Sequence, residues 1–142
     1  MLIGLSPLLT PDLLHALASM GHGDTIVLCD ANYPSTRCRR TIPLHGAPMD
    51  AVLDAILDVM PLDTFIDSPA QVMEPTDGKL WPAMTMLDDV LAKRGEKPAA
   101  RVERFAFYTA AGAAYAMVPT GERRFYGNVI LTKGVVAPPE HA

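Results

Sequence analysis

The chain has 142 residues, 49% of them apolar and 20% charged, with 12 Lys and Arg against 16 Asp and Glu for a formal charge of −4. At about 150 residues per domain that is one domain, large enough to bury roughly two thirds of its unfolded surface without disulfides or a structural metal. The composition excludes disorder and low complexity, the acidic balance argues against a nucleic-acid partner, and every apolar stretch is broken well before the about 18 residues of a membrane span.

The first residues, MLIGLSPLLTPDLL, lack the basic region and small-residue cleavage site of a secretory signal. Cys29 and Cys38 match neither a zinc site nor a C-x-x-C redox pair. Both observations lead to the expectation of a cytoplasmic protein. So apolar a small domain, rich in Ala and Met, is also expected to self-associate.

In chain order, Thr10-Pro11-Asp12 opens a helix: a capping hydroxyl, a proline suited to the first helical position and an acid at the positive end of the dipole. Leu13, Leu14, Leu17 and Ala18 follow at helical spacing, and Gly21 supplies a left-handed stop, so the helix is expected over Pro11–Met20. Thr25–Cys29 is β-branched and apolar without alternation, as in a strand buried on both faces. Met49, Val52, Leu53, Ile56, Leu57 and Met60 define a second helix from Pro48 to Met60, with Asp50, Asp54 and Asp58 on its other face. A short strand is expected near Gln71–Met73, then a helix from Trp81 to Lys93 closed by Gly95. Arg104–Ala111 fits either periodicity and is read as a helix. Ala114–Val118 and Asn128–Thr132 read as strands around a Thr120-Gly121 turn and an Arg-rich link.

Helices alternating with buried strands predict an α/β fold over residues 1–142, a three-layer α/β/α arrangement with a mixed central sheet, residues 136–142 forming a loose tail. Such sheets bind ligands at strand carboxyl ends, which directs attention to the residues after Cys29. Asp30-Ala31-Asn32-Tyr33-Pro34 concentrates a carboxylate, an amide and a phenol there, groups that read sugar hydroxyls; an Asx-turn leaving the sheet uses the same residues. Tyr126-Gly127-Asn128 repeats these types before the last strand, Gly127 permitting close backbone approach to a ligand; a plain hairpin connection is the alternative.

His22 lies in a glycine-flanked turn at the start of the strand that Asp30 ends. At strand rise the two are roughly 17 to 20 Å apart, so one strand cannot bring them together, and a neighbouring subunit is one way to do so. An imidazole exchanges protons near neutral pH; His22 can instead complete a helix C-terminus. Arg104 offers a fork of donors to hydroxyls or a carboxylate, or is a solvated helix end. No histidine has a partner at metal-ligand spacing, and G-x-S-x-G, H-E-x-x-H and GxGxxG are all absent.

The segments Leu17–Asp24 (LASMGHGD), Asp30–Pro34 (DANYP), Arg104–Tyr108 (RFAFY), Thr120–Arg123 (TGER), Tyr126–Leu131 (YGNVIL) and Lys133-Gly134-Val135 together resemble, in family order, the RbsD/FucU family of sugar mutarotases. The resemblance covers essentially the whole chain up to Val135 and is weakest over Asp63–Ala100. It implies an RbsD-like fold and a cofactor-independent isomerase, with no metal, that interconverts α and β anomers of a free monosaccharide. It further implies a homo-oligomeric ring, often a decamer. By motif match His22 is the catalytic proton donor, while Asp30, Arg104, Tyr126, Gly127 and Asn128 hold the sugar. Arginine at position 104 resembles the fucose mutarotase branch, hence L-fucose. A D-ribose pyranase-like enzyme, a non-catalytic sugar-binding or regulatory protein and a ligand-free scaffold are the alternatives.

Overall fold

Thr10, Pro11 and Asp12 start the first helix as their chemistry requires. In the computed structural model, which describes residues 1–141, α1 spans Pro11–Ser19 and the Thr10 hydroxyl accepts a hydrogen bond from the Leu13 N–H. It stops on Met20 in an extended conformation, and the left-handed residue of the following turn is Gly23, φ 86°, not Gly21. The helix end is closed from far along the chain. Lys133 Nζ donates to the Leu17 and Met20 carbonyls at 2.7 and 2.6 Å, satisfying acceptors that lack intrahelical partners and offsetting the negative end of the dipole. Lys133 thus takes the C-terminal role that was one alternative for His22.

The remaining elements are β1 (Thr25–Cys29), α2 (Met49–Leu57), β2 (Ala70–Met73), α3 (Pro82–Lys93), β3 (Ala100–Val102), α4 (Arg104–Gly112), β4 (Ala116–Pro119) and β5 (Val129–Thr132). Short 3-10 turns occur at Ser35–Arg37 and Pro139–His141. Gly95, φ 73°, ends α3 as expected. The helical reading of 104–111 holds, because the Glu103 carboxylate accepts from the Phe105 and Ala106 N–H groups and caps α4. Strand β3 has no counterpart in the sequence reading. It is three residues long, none fully buried, too short and too exposed to leave a pattern. Residues 136–140 are exposed; residue 142, the end of the expected tail, lies outside the described residues.

The sheet order is β3-β2-β5-β1-β4. β1 pairs parallel with β4 and β2 parallel with β3, while β5 runs antiparallel to both β1 and β2. The mixed sheet is therefore as expected, but β4 and β5 do not form a hairpin. The link between them crosses the end of β1, where Ala31 N–H donates to the Glu122 carbonyl and Thr120 N–H to the Cys29 carbonyl. Side chains of β1 alternate between two cores. Ile26 and Leu28 join the cluster built with α1, α2 and α3, whereas Val27 and Cys29 join Phe107 and Ala111 of α4 on the other face. That is the three-layer arrangement, and it explains why β1 shows no polar alternation. Among the described residues no helix is long and apolar enough to cross a membrane.

This topology sets the two ends of the sheet apart. One edge gathers the carboxyl ends of β1, β2, β3 and β4 with the start of β5; the other holds the turn before β1 and the end of β5.

Candidate functional site

Because β5 is antiparallel to β1, the register pairing Leu28 with Val129 sets Asp30 beside Gly127 and Asn128. The Asn128 side chain then spans both polar groups of Asp30: its Oδ1 accepts from the Asp30 N–H at 2.8 Å, and its Nδ2 donates to Asp30 Oδ2 at 3.2 Å. The second carboxylate oxygen accepts from the Asn32 N–H at 3.0 Å, so the Asx-turn and the polar cluster are one structure. Both side chains are buried.

Burial raises the Asp30 carboxyl above its ordinary range, opposed by the Asn32 amide, the Asn128 side chain and the Gly127 and Tyr33 amides. A carboxyl whose folded pKa is raised binds its proton more tightly when folded. Its stabilising contribution is present below the ordinary carboxylate range and lost as pH rises through the raised value. Wild type is therefore expected to lose stability relative to Asp30→Asn as pH climbs from just below about 4 towards neutrality. Paired urea titrations across that range measure the change; a difference that stays constant with pH refutes it.

Asp30 and Asn128 line a cavity of about 350 Å³ at this edge of the sheet, with Asn32 and Arg104 as further polar groups. The value lies at the lower end of the about 300–1,000 Å³ usual for small-molecule sites. Arg104, first residue of α4, is exposed yet lines the cavity, its guanidinium carbon 5.7 Å from the Tyr108 ring centre. The Tyr33 ring lies 5.5 Å from Tyr108 and meets Phe107 edge to face at 6.2 Å. Burial pushes the Tyr33 phenol above its ordinary value, which keeps it a neutral hydrogen-bonding group.

Tyr126 is the one non-glycine residue with positive φ, 62°, among those described. That conformation is disfavoured for a bulky residue, and here it accompanies a ring 5.4 Å from Trp81 at the cavity wall. At Gly127 a Cβ would sit 2.7 Å from Glu122 Cγ, so its backbone packs closely on the buried Glu122, held by Arg124 at 2.8 Å.

His22 lies at the opposite edge. Its Nε2 is 3.0 Å from Asp63 Oδ1, and its ring centre 5.3 Å from that of Phe65. Asp63, buried, also accepts from the Phe65 N–H at 3.0 Å. First that amide and then the imidazole hold its carboxyl below the ordinary range, the reverse of Asp30. The His22 turn is anchored by Lys133: Gly23 N–H donates to the Lys133 carbonyl and Lys133 N–H to the Asp24 carbonyl, each at 2.9 Å.

The structure thus brings Asp30, Arg104, Tyr126 and Asn128 together, with Gly127 packed beside them, and leaves His22 at the other end of β1. Sequence reasoning missed Met73, Trp81, Tyr108 and Phe125 on the cavity, and Asp63 beside His22. Tyr108 lay inside a noted motif, whereas the others belong to segments without recognisable spacing. Among the described residues no three His, Cys, Asp or Glu side chains are grouped to hold a metal.

A polar pair at the floor of a small, aromatic-walled cavity, on strand ends of a mixed α/β sheet, defines a domain built to hold a small polar ligand. The chain belongs to the RbsD / FucU transport protein family, whose model matches residues 3–136. It is 47% identical over 146 residues to the fucose mutarotase of Bos taurus, covering 96% of this chain and 95% of that protein. Its fold is similar to the fucose mutarotase of Streptococcus pneumoniae solved with L-fucose, with a TM-score of 0.91 and 38% identity over 96% of this chain and all (100%) of that one. Bacillus subtilis RbsD, solved with D-ribose, shares the fold at a TM-score of 0.74 and 22% identity, covering 96% of this chain and 100% of that one.

Proposed function

We propose that this protein interconverts the α and β anomers of L-fucose. The observation that carries the reading is the Asp30–Asn128 pair at the floor of the cavity; the near-full-length likeness to fucose mutarotases supports it. Mutarotation opens the hemiacetal by taking a proton from the anomeric hydroxyl and placing one on the ring oxygen, then recloses the ring on the other face. Positioned acid and base groups suffice. Asp30, Asn128 and Arg104 bind hydroxyls, and the buried polar groups disfavour sugars that leave them unpaired.

In this reading His22 is the proton donor, and it reaches the cavity of a neighbouring copy in a homo-oligomeric ring of decameric type. Three features support that arrangement: the 45% exposure of the His22 side chain, its anchoring by Asp63, and the exposed Phe65 (74%) and Ile66 (43%) close by in the chain. An imidazole with a carboxylate on one nitrogen has its orientation set. Sugar and identical subunits are the partners, and the cytoplasm is the proposed location.

NMR saturation transfer between the anomeric protons of L-fucose, with and without protein at neutral pH, tests the proposal. Transfer that appears only with protein is expected. None with L-fucose, and none with D-ribose or D-galactose, overturns the reading in favour of a binding or scaffold protein.

A further inference from the structure

At the His22 edge two distant segments, the turn that carries His22 and residues 61–63, lie on opposite sides of residues 132–134. On one side Lys133 N–H donates to the Asp24 carbonyl and Gly23 N–H to the Lys133 carbonyl, each at 2.9 Å. On the other, Asp63 N–H donates to the Thr132 carbonyl at 3.0 Å and Gly134 N–H to the Pro61 carbonyl at 2.8 Å, and Leu62 pairs antiparallel with Lys133. His22 and Asp63, 41 positions apart, come within 3.0 Å because both segments hang on this strip. The Lys133 side chain adds a further hold, its Nζ donating to the Leu17 and Met20 carbonyls at the end of α1. Among the described residues that ammonium forms no ion pair, so its charge is directed at the negative end of the helix. Lys133 therefore grips the chain two residues before His22 and again one and two residues after it.

We infer that Lys133 is a positioning residue for proton transfer: through the Leu17 and Met20 carbonyls its ammonium fixes the turn that carries His22, and with it the direction from which the imidazole meets the reacting atoms. The inference rests on the mutarotase reading above, with His22 as the proton donor. Lys133 follows the end of β5 whereas Asn128 precedes its start, and Lys133 does not line the cavity. Its side chain therefore acts on the rate of exchange and not on the holding of the sugar. A displacement of about 1 Å at a reacting group is enough to cost up to about 100-fold in rate.

Lys133→Met keeps the backbone strip and removes the charge with both side-chain bonds. Its kcat for anomer exchange of L-fucose is expected to fall by about 10- to 100-fold with KM unchanged, and the imidazole ¹H–¹⁵N correlations of His22 are expected to shift. Lys133→Arg, which keeps a cationic donor, restores most of the rate and returns the correlations towards their wild-type positions. Thr10→Ala is the control: it removes the N-terminal cap of the same helix and lowers Tm without touching Lys133, so kcat is expected to stay at the wild-type value. Lys133→Gln, which is neutral and keeps one donor group, gives the same readout where Lys133→Met does not fold. Wild-type kcat in the neutral variants, a loss confined to KM, or an equal loss of kcat in Thr10→Ala overturns the inference and leaves the mutarotase reading standing. Absence of exchange by wild type overturns the mutarotase reading, and the inference with it.

Discussion

Replacing His22 by alanine is expected to slow anomer exchange of L-fucose by about 10²- to 10⁴-fold, the usual contribution of a positioned general acid or base, while the protein still binds the sugar. The expectation combines two facts of geometry. The groups that hold hydroxyls, Asp30 and Asn128, stand at one end of β1, and the imidazole stands at the other, bonded to Asp63. Binding and proton transfer are then separable by mutation, because no hydrogen bond of the cavity passes through His22. The half-exposed ring can be removed without opening a core, but the buried Asp63 carboxylate keeps, among the described residues, only the Phe65 N–H as partner, so Tm is expected to fall modestly while the fold is retained. Saturation transfer measures exchange, and a sugar-induced thermal shift measures binding.

The arrangement between copies has its own signature. His22→Ala and Asp30→Asn, each expected to be impaired alone, are expected to recover part of the exchange when unfolded and refolded together, since a mixed assembly contains sites with both residues intact. Unchanged exchange in His22→Ala, or a stable monomer with full activity, would sink the shared-site mechanism.

The second large effect is on stability. Gly134→Ala is expected to destabilise the fold by about 2–3 kcal/mol, near the upper end of typical overpacking, lowering Tm by roughly 5–15 °C for a chain of this size. A Cβ at position 134 would lie 2.5 Å from the Leu62 carbonyl oxygen and 2.8 Å from its carbon. Both are backbone atoms, fixed by the Gly134 N–H bond to the Pro61 carbonyl at 2.8 Å, so no side chain can swing aside. The damage should not stay local. Lys133, the preceding residue, caps α1 and anchors the His22 turn, so a displaced 133–134 segment reduces exchange as well as stability. Thermal unfolding checks the first part; wild-type Tm in Gly134→Ala refutes the argument.

Several features were legible in the sequence because they depend on neighbours a few residues away. The start of α1 follows from a hydroxyl, a proline and a carboxylate in succession. The burial of β1 on both faces is written in five apolar or β-branched residues without alternation. Asp30 and Asn128 were candidates by chemistry and by position at strand ends, and they do meet at the cavity. The Met-Gly-His-Gly-Asp and Lys-Gly-Val segments were recognisable as motifs, but what they do was not: the lysine closes a helix, and its glycine makes room for the Leu62 backbone.

Composition and short-range pattern by themselves determined an acidic α/β chain, its main helices and most of its strands, and a set of polar residues suited to sugar hydroxyls. Tertiary structure decided the rest. It placed β1 between β4 and β5, where a plain hairpin connection is the alternative reading of Tyr126-Gly127-Asn128, drew Asn128 onto Asp30 across 98 positions of chain, and put Asp63 behind His22. It also assembled Trp81, Phe125 and Met73 into a wall from segments with no common motif. The physical reason is one of range. Caps, turns and periodicities are settled by sterics and hydrogen bonds within a turn or two of chain. Strand order and the filling of a cavity depend instead on which distant surfaces exclude water together, and that is encoded in the whole chain at once.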